Sequence, residues 1–379
     1  MSANNSTEPS FAYKFSNFFK NLFLINFSLF NSGKNFSSIL WLFILFLLIC
    51  LMIFVGGLTR LTDSGLSIVE WKPVLGSIPP LNEKKWIIEF NKYKSTPEFL
   101  IKNFDITMSQ FKIIFWWEWG HRQLGRIIGV VWLFGFLYLY FRKKIPTGWT
   151  KRFLFLGILG GFQGFLGWWM VSSGLEGTMI DVASYRLAIH LTVAFIILSV
   201  ILWFILILCN IDNVKNFNPR ERNKKLLILI NIILLTLFLQ IIFGALVAGI
   251  DAGKSFNDWP LMSGKWFPED AFYSNSLIMS FFDESGLVQF NHRILGYVIF
   301  IFSLVILYMT LKTKNTQMIK RAYQYLTIVF VQIFLGIITI IYSAPLHFSS
   351  AHQVCAILLV SVTLRFYFVI YYPNITKKT

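Results

Sequence analysis

Four of the five histidines in this 379-residue chain recur at matched positions in its two halves, His121 with His292 and His190 with His352. An offset of 162–171 residues aligns three local patterns in the same order. Glu118-Trp119-Gly120-His121-Arg122-Gln123-Leu124-Gly125 meets Gln289-Phe290-Asn291-His292-Arg293-Ile294-Leu295-Gly296. Gln163-Gly164-Phe165-Leu166-Gly167 meets Gln332-Ile333-Phe334-Leu335-Gly336, and His190-Leu191 meets His352-Gln353. Such order is the mark of a parallel internal repeat. An ionisable group inside an apolar segment is costly and usually functional. Zinc would ask for a third or fourth ligand, which the second half does not offer beside His292 and His352. Haem iron asks only for axial nitrogens, and its flat apolar ring suits a space between helices rich in Phe, Leu and Gly. The pattern therefore points to bis-histidine haem in each half. His347 has no counterpart and no assigned role, and the absence of a CxxCH run excludes that route of covalent attachment.

Position 118 breaks the repeat. Glu118 precedes His121 by three residues, on the same helical face, whereas its partner Gln289 cannot titrate. An acid there can shuttle protons or orient a reacting group; the structural alternative is a carboxylate favoured by the dipole at a helix start. The inequality predicts chemistry in the first half and electron transfer or structure in the second. Arg122, Arg126, Arg186 and Arg293 share the histidines' helix ends, where guanidinium groups either pair with haem propionates or snorkel to the interface. Gly157, Gly160, Gly161, Gly164 and Gly167 either let helices approach closely or leave space for a ring.

The elements that must position these residues are membrane helices. The chain is 56% hydrophobic, 18% aromatic and only 14% charged, outside the range of soluble domains. Eight stretches reach the ~20 apolar residues needed to cross a bilayer; they lie at 38–58, 120–141, 153–173, 186–209, 225–249, 292–311, 322–343 and 351–371. The expected fold class is an all-α integral membrane protein, eight transmembrane helices arranged as two repeated four-helix bundles. The net charge of +16 is distributed as topology requires, not as nucleic-acid binding requires. Segments 1–37, 142–152, 210–225, 312–321 and 372–379 hold 19 Lys/Arg against Glu8, Asp212 and Glu221. The alternate segments hold 10 basic and 15 acidic residues. Both termini are therefore expected inside, and all four histidines within a turn or two of the outer face.

The expected organisation is an inside tail (1–37), an N-terminal four-helix half for haem chemistry (38–209), an inside linker (210–224), a C-terminal four-helix half for a haem of electron transfer or structure (225–371) and an inside tail (372–379). The first tail lacks a small-residue cleavage site and is read as partly interfacial around Phe19–Phe30; a mitochondrial presequence is the weaker reading without an Arg before Arg60. Cys50, Cys209 and Cys355 fall within or at the end of apolar spans and read as small buried side chains. The loop Gly57-Leu58-Thr59-Arg60-Leu61-Thr62-Asp63-Ser64-Gly65 is echoed by Gly249-Ile250-Asp251-Ala252-Gly253, each followed by a Trp and a Pro. These are either interfacial turns or caps over a binding site.

With EWGHRQLGR at 118–126, GLTRLTDSGLSIVEWKP at 57–73, YRLAIHL at 185–191, FNHRILGY at 290–297 and AHQVCA at 351–356, the sequence resembles the haem A synthase family over about residues 40–371, in its alphaproteobacterial and mitochondrial form. The resemblance implies oxidation of a ring methyl of haem O to a formyl group by successive hydroxylations, giving haem A for terminal oxidase assembly. It implies haem b held by His292 and His352, haem O between His121 and His190, and Glu118 as the catalytic acid residue. Arg122, Arg126 and Arg186 are the candidates for the propionates. Implied partners are the lipid bilayer, a haem O-forming farnesyltransferase and an electron donor, with no nucleic acid; a homo-oligomer stays open. The implied location is a bacterial inner membrane, or the mitochondrial one in a eukaryote. One departure is the absence of Cys from 59–119, where some bacterial relatives carry a pair. A dihaem electron-transfer cytochrome or a haem carrier is the alternative, but neither gives a reason for Glu118 opposite Gln289.

Overall fold

The computed structural model describes residues 35–175, 177–272 and 276–373. The tails expected at 1–37 and 372–379 lie almost wholly outside these residues. Among the described residues eight helices are long and apolar enough to cross a membrane: α1 Phe36–Leu61, α2 Met108–Phe141, α3 Thr150–Gly174, α4 Ser184–Cys209, α5 Lys224–Gly249, α6 Ser285–Leu311, α7 Thr316–Ile341 and α8 Leu346–Tyr371. At ~1.5 Å per residue, 25 or more residues span the ~30 Å hydrocarbon layer with some to spare. Three of the starts, those of α2, α5 and α7, are set by side chains that accept from the otherwise unpaired first amides. Asn223 accepts from Leu226 N (3.2 Å) to begin α5, and Asn315 from Gln317 N and Met318 N (both 3.1 Å) to begin α7.

Within the first half, α1 packs on α2 and α4, α2 on α3, and α3 on α4. The second half repeats this ring: α5 packs on α6 and α8, α6 on α7, and α7 on α8. The halves meet where α1 touches α8 and α4 touches α5, with α4 against α8 between them. Mapping α1 onto α5 and α4 onto α8 exchanges the first two contacts and preserves the third, which is what a two-fold-related parallel repeat demands. The inner helices consequently carry the core, with Leu42, Phe46, Leu198, Ile230, Val360 and Phe366 fully enclosed. An apolar 18-residue stretch of α8 is 72% buried, against 11% for those of α2, α3 and α7. The outer helices expose Phe134, Phe155, Phe330 and Phe334, the apolar surface that lipid covers.

The structure corrects the second expected span. A bilayer-sized window starts at 120, but α2 begins twelve residues earlier, at Met108. There Thr107 and Gln110 form a reciprocal capping box: Thr107 Oγ1 accepts from Gln110 N, and Thr107 N donates to Gln110 Oε1 at 2.9 Å. The additional turns project ~18 Å beyond the expected span and pack with the helix Glu83–Tyr93. Trp86, Phe90, Tyr93, Phe111 and Phe115 make a separate small core there. The long 59–119 connection is thus a folded helical cap, not an open loop.

Candidate functional site

Each repeat-related histidine projects from an even-numbered helix onto a glycine of the helix before it. A Cβ added at Gly56 on α1 would stand 2.8 Å from His121 Cε1; at Gly167 on α3, 3.1 Å from His190 Cε1. The corresponding distances are 3.0 Å for Gly244 on α5 and His292, and 3.0 Å for Gly336 on α7 and His352. Carbon atoms prefer ~3.5–4 Å, so any larger residue would displace the ring. The four seats are equivalent, and this is the physical reason for glycine at those positions. The α3 glycines divide accordingly: Gly157 receives the Trp132 ring, Gly167 receives His190, and Gly160, Gly161 and Gly164 have nothing within 4 Å.

Four residues before three of these glycines stands a glutamine whose amide touches the seated ring. Gln163 Nε2 is 3.2 Å from His190 Nδ1 and donates to the His190 main-chain oxygen at 2.9 Å. Gln240 Nε2 is 3.2 Å from His292 Nε2. Gln332 Nε2 is 3.2 Å from His352 Nε2 and donates to the His352 main-chain oxygen at 3.1 Å. Gly56 is preceded at the same spacing by Met52.

The His292 and His352 ring centroids are 6.4 Å apart, at an interplanar angle of 71°. That separation would let one nitrogen from each ring hold a single iron between them, the donor set a haem asks for. His121 Nδ1 and His292 Nδ1 are buried without a hydrogen-bond partner, a state that costs free energy unless something completes it. Among the described residues no three His, Cys, Asp or Glu side chains converge to hold a bare metal ion. The donor set therefore fits a two-ligand, ring-shaped group and not a zinc site.

Comparisons with known proteins agree with this geometry. A family described as Cytochrome oxidase assembly protein matches residues 39–364. The chain is 47% identical to a haem A synthase of Roseobacter denitrificans over 92% of its own length and 91% of that protein. It is 46% identical to one from Dinoroseobacter shibae (89% and 88% covered) and 44% identical to one from Paracoccus denitrificans (86% of each). The chain belongs to the haem A synthase family. Membership makes it a multi-pass, haem-binding enzyme of haem A biosynthesis, linked to oxidase assembly, in preference to an electron-transfer cytochrome or a carrier.

In this haem A synthase relative, Glu118 and Gln289 turn out to occupy equivalent clasps. Glu118 is 2% exposed. Its Oε1 accepts from Arg122 at 2.6 Å, and its Oε2 accepts from Ser67 Oγ and Ile68 N, both at 2.7 Å. Arg122 also donates to Ile68 O (2.8 Å) and Glu70 O (3.1 Å), so the pair binds the 67–70 turn to α2. In the second half Gln289 Oε1 accepts from Arg293 at 2.9 Å, while Gln289 Nε2 donates to Ala252 O and Phe256 O. Arg293 donates to Leu261 O at 2.8 Å. Each clasp joins the residue to the arginine one turn on, but Glu118 Oε2 accepts from the turn where Gln289 Nε2 donates to it, and only the first contains a carboxyl group.

Arg126 donates to Pro73 O (2.7 Å) and Lys72 O (3.1 Å), holding the same cap segment. Arg186 donates to Trp169 O at 2.7 Å and lies over the Trp169 ring. All three candidate propionate arginines therefore already hold main-chain carbonyls, as does Arg293.

Several contacts escaped the reading of the sequence. Arg60 joins the two echoed loops, reaching Asp63 (2.8 Å), Asp181 (3.5 Å), Asp251 (3.4 Å) and Gly249 O (3.3 Å). Gln353, next to His352, donates to Ile53 O at 2.8 Å and fills the space Gly57 leaves. Inside the cap Glu98 is buried beside Tyr93, and burial pushes its carboxyl up to about 8. Burial also raises Tyr93, with Glu98 adding to the effect. The glutamine at 240 was legible, because Gln-x-x-x-Gly recurs at 163, 240 and 332. Gly56 was not, because Met52 breaks that spacing pattern.

Proposed function

We propose that this chain oxidises the ring methyl of haem O to a formyl group by successive hydroxylations, in a site between His121 and His190, and that His292 and His352 hold haem b. The N-terminal half, 38–209, is then the substrate unit and the C-terminal half, 225–371, the cofactor unit. The observation that carries this division is Glu118 in a clasp whose counterpart holds Gln289. A buried carboxylate one turn before a substrate-facing histidine can take up or release a proton as the ring substituent reacts. Arg122 offsets its charge, and Ser67 and Ile68 fix its direction. Haem b, when bound, supplies one-electron chemistry. Arg122, Arg126 and Arg186 line the rim where propionates lie. The loop charges support a topology with both termini on the cytoplasmic side and the histidines toward the outer face, in a bacterial inner membrane, with a haem O-forming farnesyltransferase and an electron donor acting beside it.

Glu118→Gln tests the assignment. Glutamine keeps the oxygen that Arg122 needs, as Gln289 does for Arg293, but its amide nitrogen cannot accept from Ile68 N as Oε2 does. The variant should fold and retain haem b while turnover falls ~10²–10⁴-fold, with haem O or a hydroxylated intermediate accumulating in extracted haems. Haem A formed at the wild-type rate would defeat the catalytic role. Purified wild-type protein devoid of any tightly bound haem would defeat the cofactor assignment.

A further inference from the structure

Two departures from the internal repeat fall on one histidine. The first is Glu118 opposite Gln289; the second is Met52, where the other three seats carry Gln163, Gln240 and Gln332. Met52 lies where Gln240 lies in the other half. A Cβ built at Gly125, one turn past His121, would meet Met52 Cε at 3.4 Å, and one built at the matched Gly296 would meet Gln240 Nε2 at 3.8 Å. A thioether can neither donate a hydrogen bond nor accept a strong one. His121, whose Nδ1 is buried and unpartnered as that of His292 is, therefore rests on Gly56 with no amide against the ring, whereas each of the other three rings is touched by one.

We propose that Gln163, Gln240 and Gln332 are positioning residues that hold His190, His292 and His352 as firm ligands, and that Met52 makes His121 the exchangeable one. This rests on the haem-binding reading above. Outer groups packed against a metal-bound histidine fix its orientation, and their loss typically costs 10–100-fold in metal affinity. A site that must accept haem O and release haem A has to let go on at least one side, while a resident cofactor must not. The weak side coincides with the side that carries Glu118, so the ligand that yields and the acid that handles protons serve the same face of the substrate.

Carbon monoxide binding to the reduced, purified full-length protein, loaded with haem O and followed by optical titration, tests this. Wild-type protein should bind carbon monoxide at the substrate haem and not at the His292/His352 haem. Met52→Gln should weaken that binding ~10–100-fold; Met52→Leu should leave it as in wild type. Gln240→Met should open the second haem to carbon monoxide, an effect a merely structural glutamine would not produce. Met52→Gln within about twofold of wild type, or Gln240→Met without new binding, overturns the proposal even if both haems are present. Absence of a bis-histidine spectrum from wild-type protein overturns it together with the haem reading, so the two failures are distinguishable.

Discussion

Gly336→Ala places the ring seats under direct test. The new Cβ would stand 3.0 Å from His352 Cε1, closer than ordinary carbon contact, so the imidazole must retreat by a few tenths of an ångström. Metal–ligand distances tolerate only ~0.2 Å. Rotation offers no escape, because Gln332 contacts both ring nitrogens at 3.2–3.3 Å. A displaced ligand should cost haem b 10–100-fold in affinity, which is ~1.4–2.8 kcal/mol. Alanine meanwhile favours the helix by ~1 kcal/mol over glycine, so the variant should remain folded, with an unchanged or slightly raised melting temperature in the haem-free state. Gly164→Ala is the control, since nothing lies within 4 Å of the added methyl. The assay is the haem-to-protein ratio of purified protein by haemochrome absorbance, with the reduced spectrum reporting ligation. A full complement of haem and an unaltered spectrum in Gly336→Ala would show that the ring does not depend on its seat.

Two further outcomes concern the cap. Arg60→Ala severs the loops of the two halves; with Asp181 and Asp251 partly open to solvent, the loss should be ~1–2 kcal/mol and should shrink at high salt, as melting temperatures in low and high salt will show. If the variant melts like wild type in low salt, the clasp between halves carries no stability. Glu98 binds its proton more tightly in the folded cap than at its ordinary 4.5, with a folded value of about 8. Cap stability should therefore be greatest below about 4.5, fall by ~1.4 kcal/mol for each pH unit as pH rises through the window to about 8, and level off above. Hydrogen exchange across residues 83–101 should show this slope, and Glu98→Gln should flatten it; a slope that survives the substitution has another source.

The histidines and membrane spans were legible because both signals are local. A helix crossing lipid must satisfy its backbone internally and cover itself with apolar side chains, and a duplicated unit repeats its costly residues at a fixed offset. The start of α2 was misplaced for an equally physical reason: a bilayer-sized window measures lipid thickness, not helix length. Thr107-x-x-Gln110, which marks the true start, is written in the sequence but carries meaning only when a helix is allowed to leave the membrane. The clasp of Glu118 and Arg122 on residues 67–70 was not legible, since main-chain atoms fifty residues away carry no sequence signal. That clasp alters what Glu118 can be asked to do. A carboxylate tied by three donors is already oriented and shielded, and glutamine there keeps the Arg122 contact but turns an amide NH2 toward the Ile68 N–H, so the lost hydrogen bond has to be measured beside the lost proton chemistry. Had both halves carried glutamine there and at the Met52 position, the fold would be two equal bis-histidine cages. The two substitutions that break the equality lie on α1 and α2 and converge on His121, so one seat of four is both unbraced and beside an acid, which is where a reacting substrate differs in its needs from a resident cofactor.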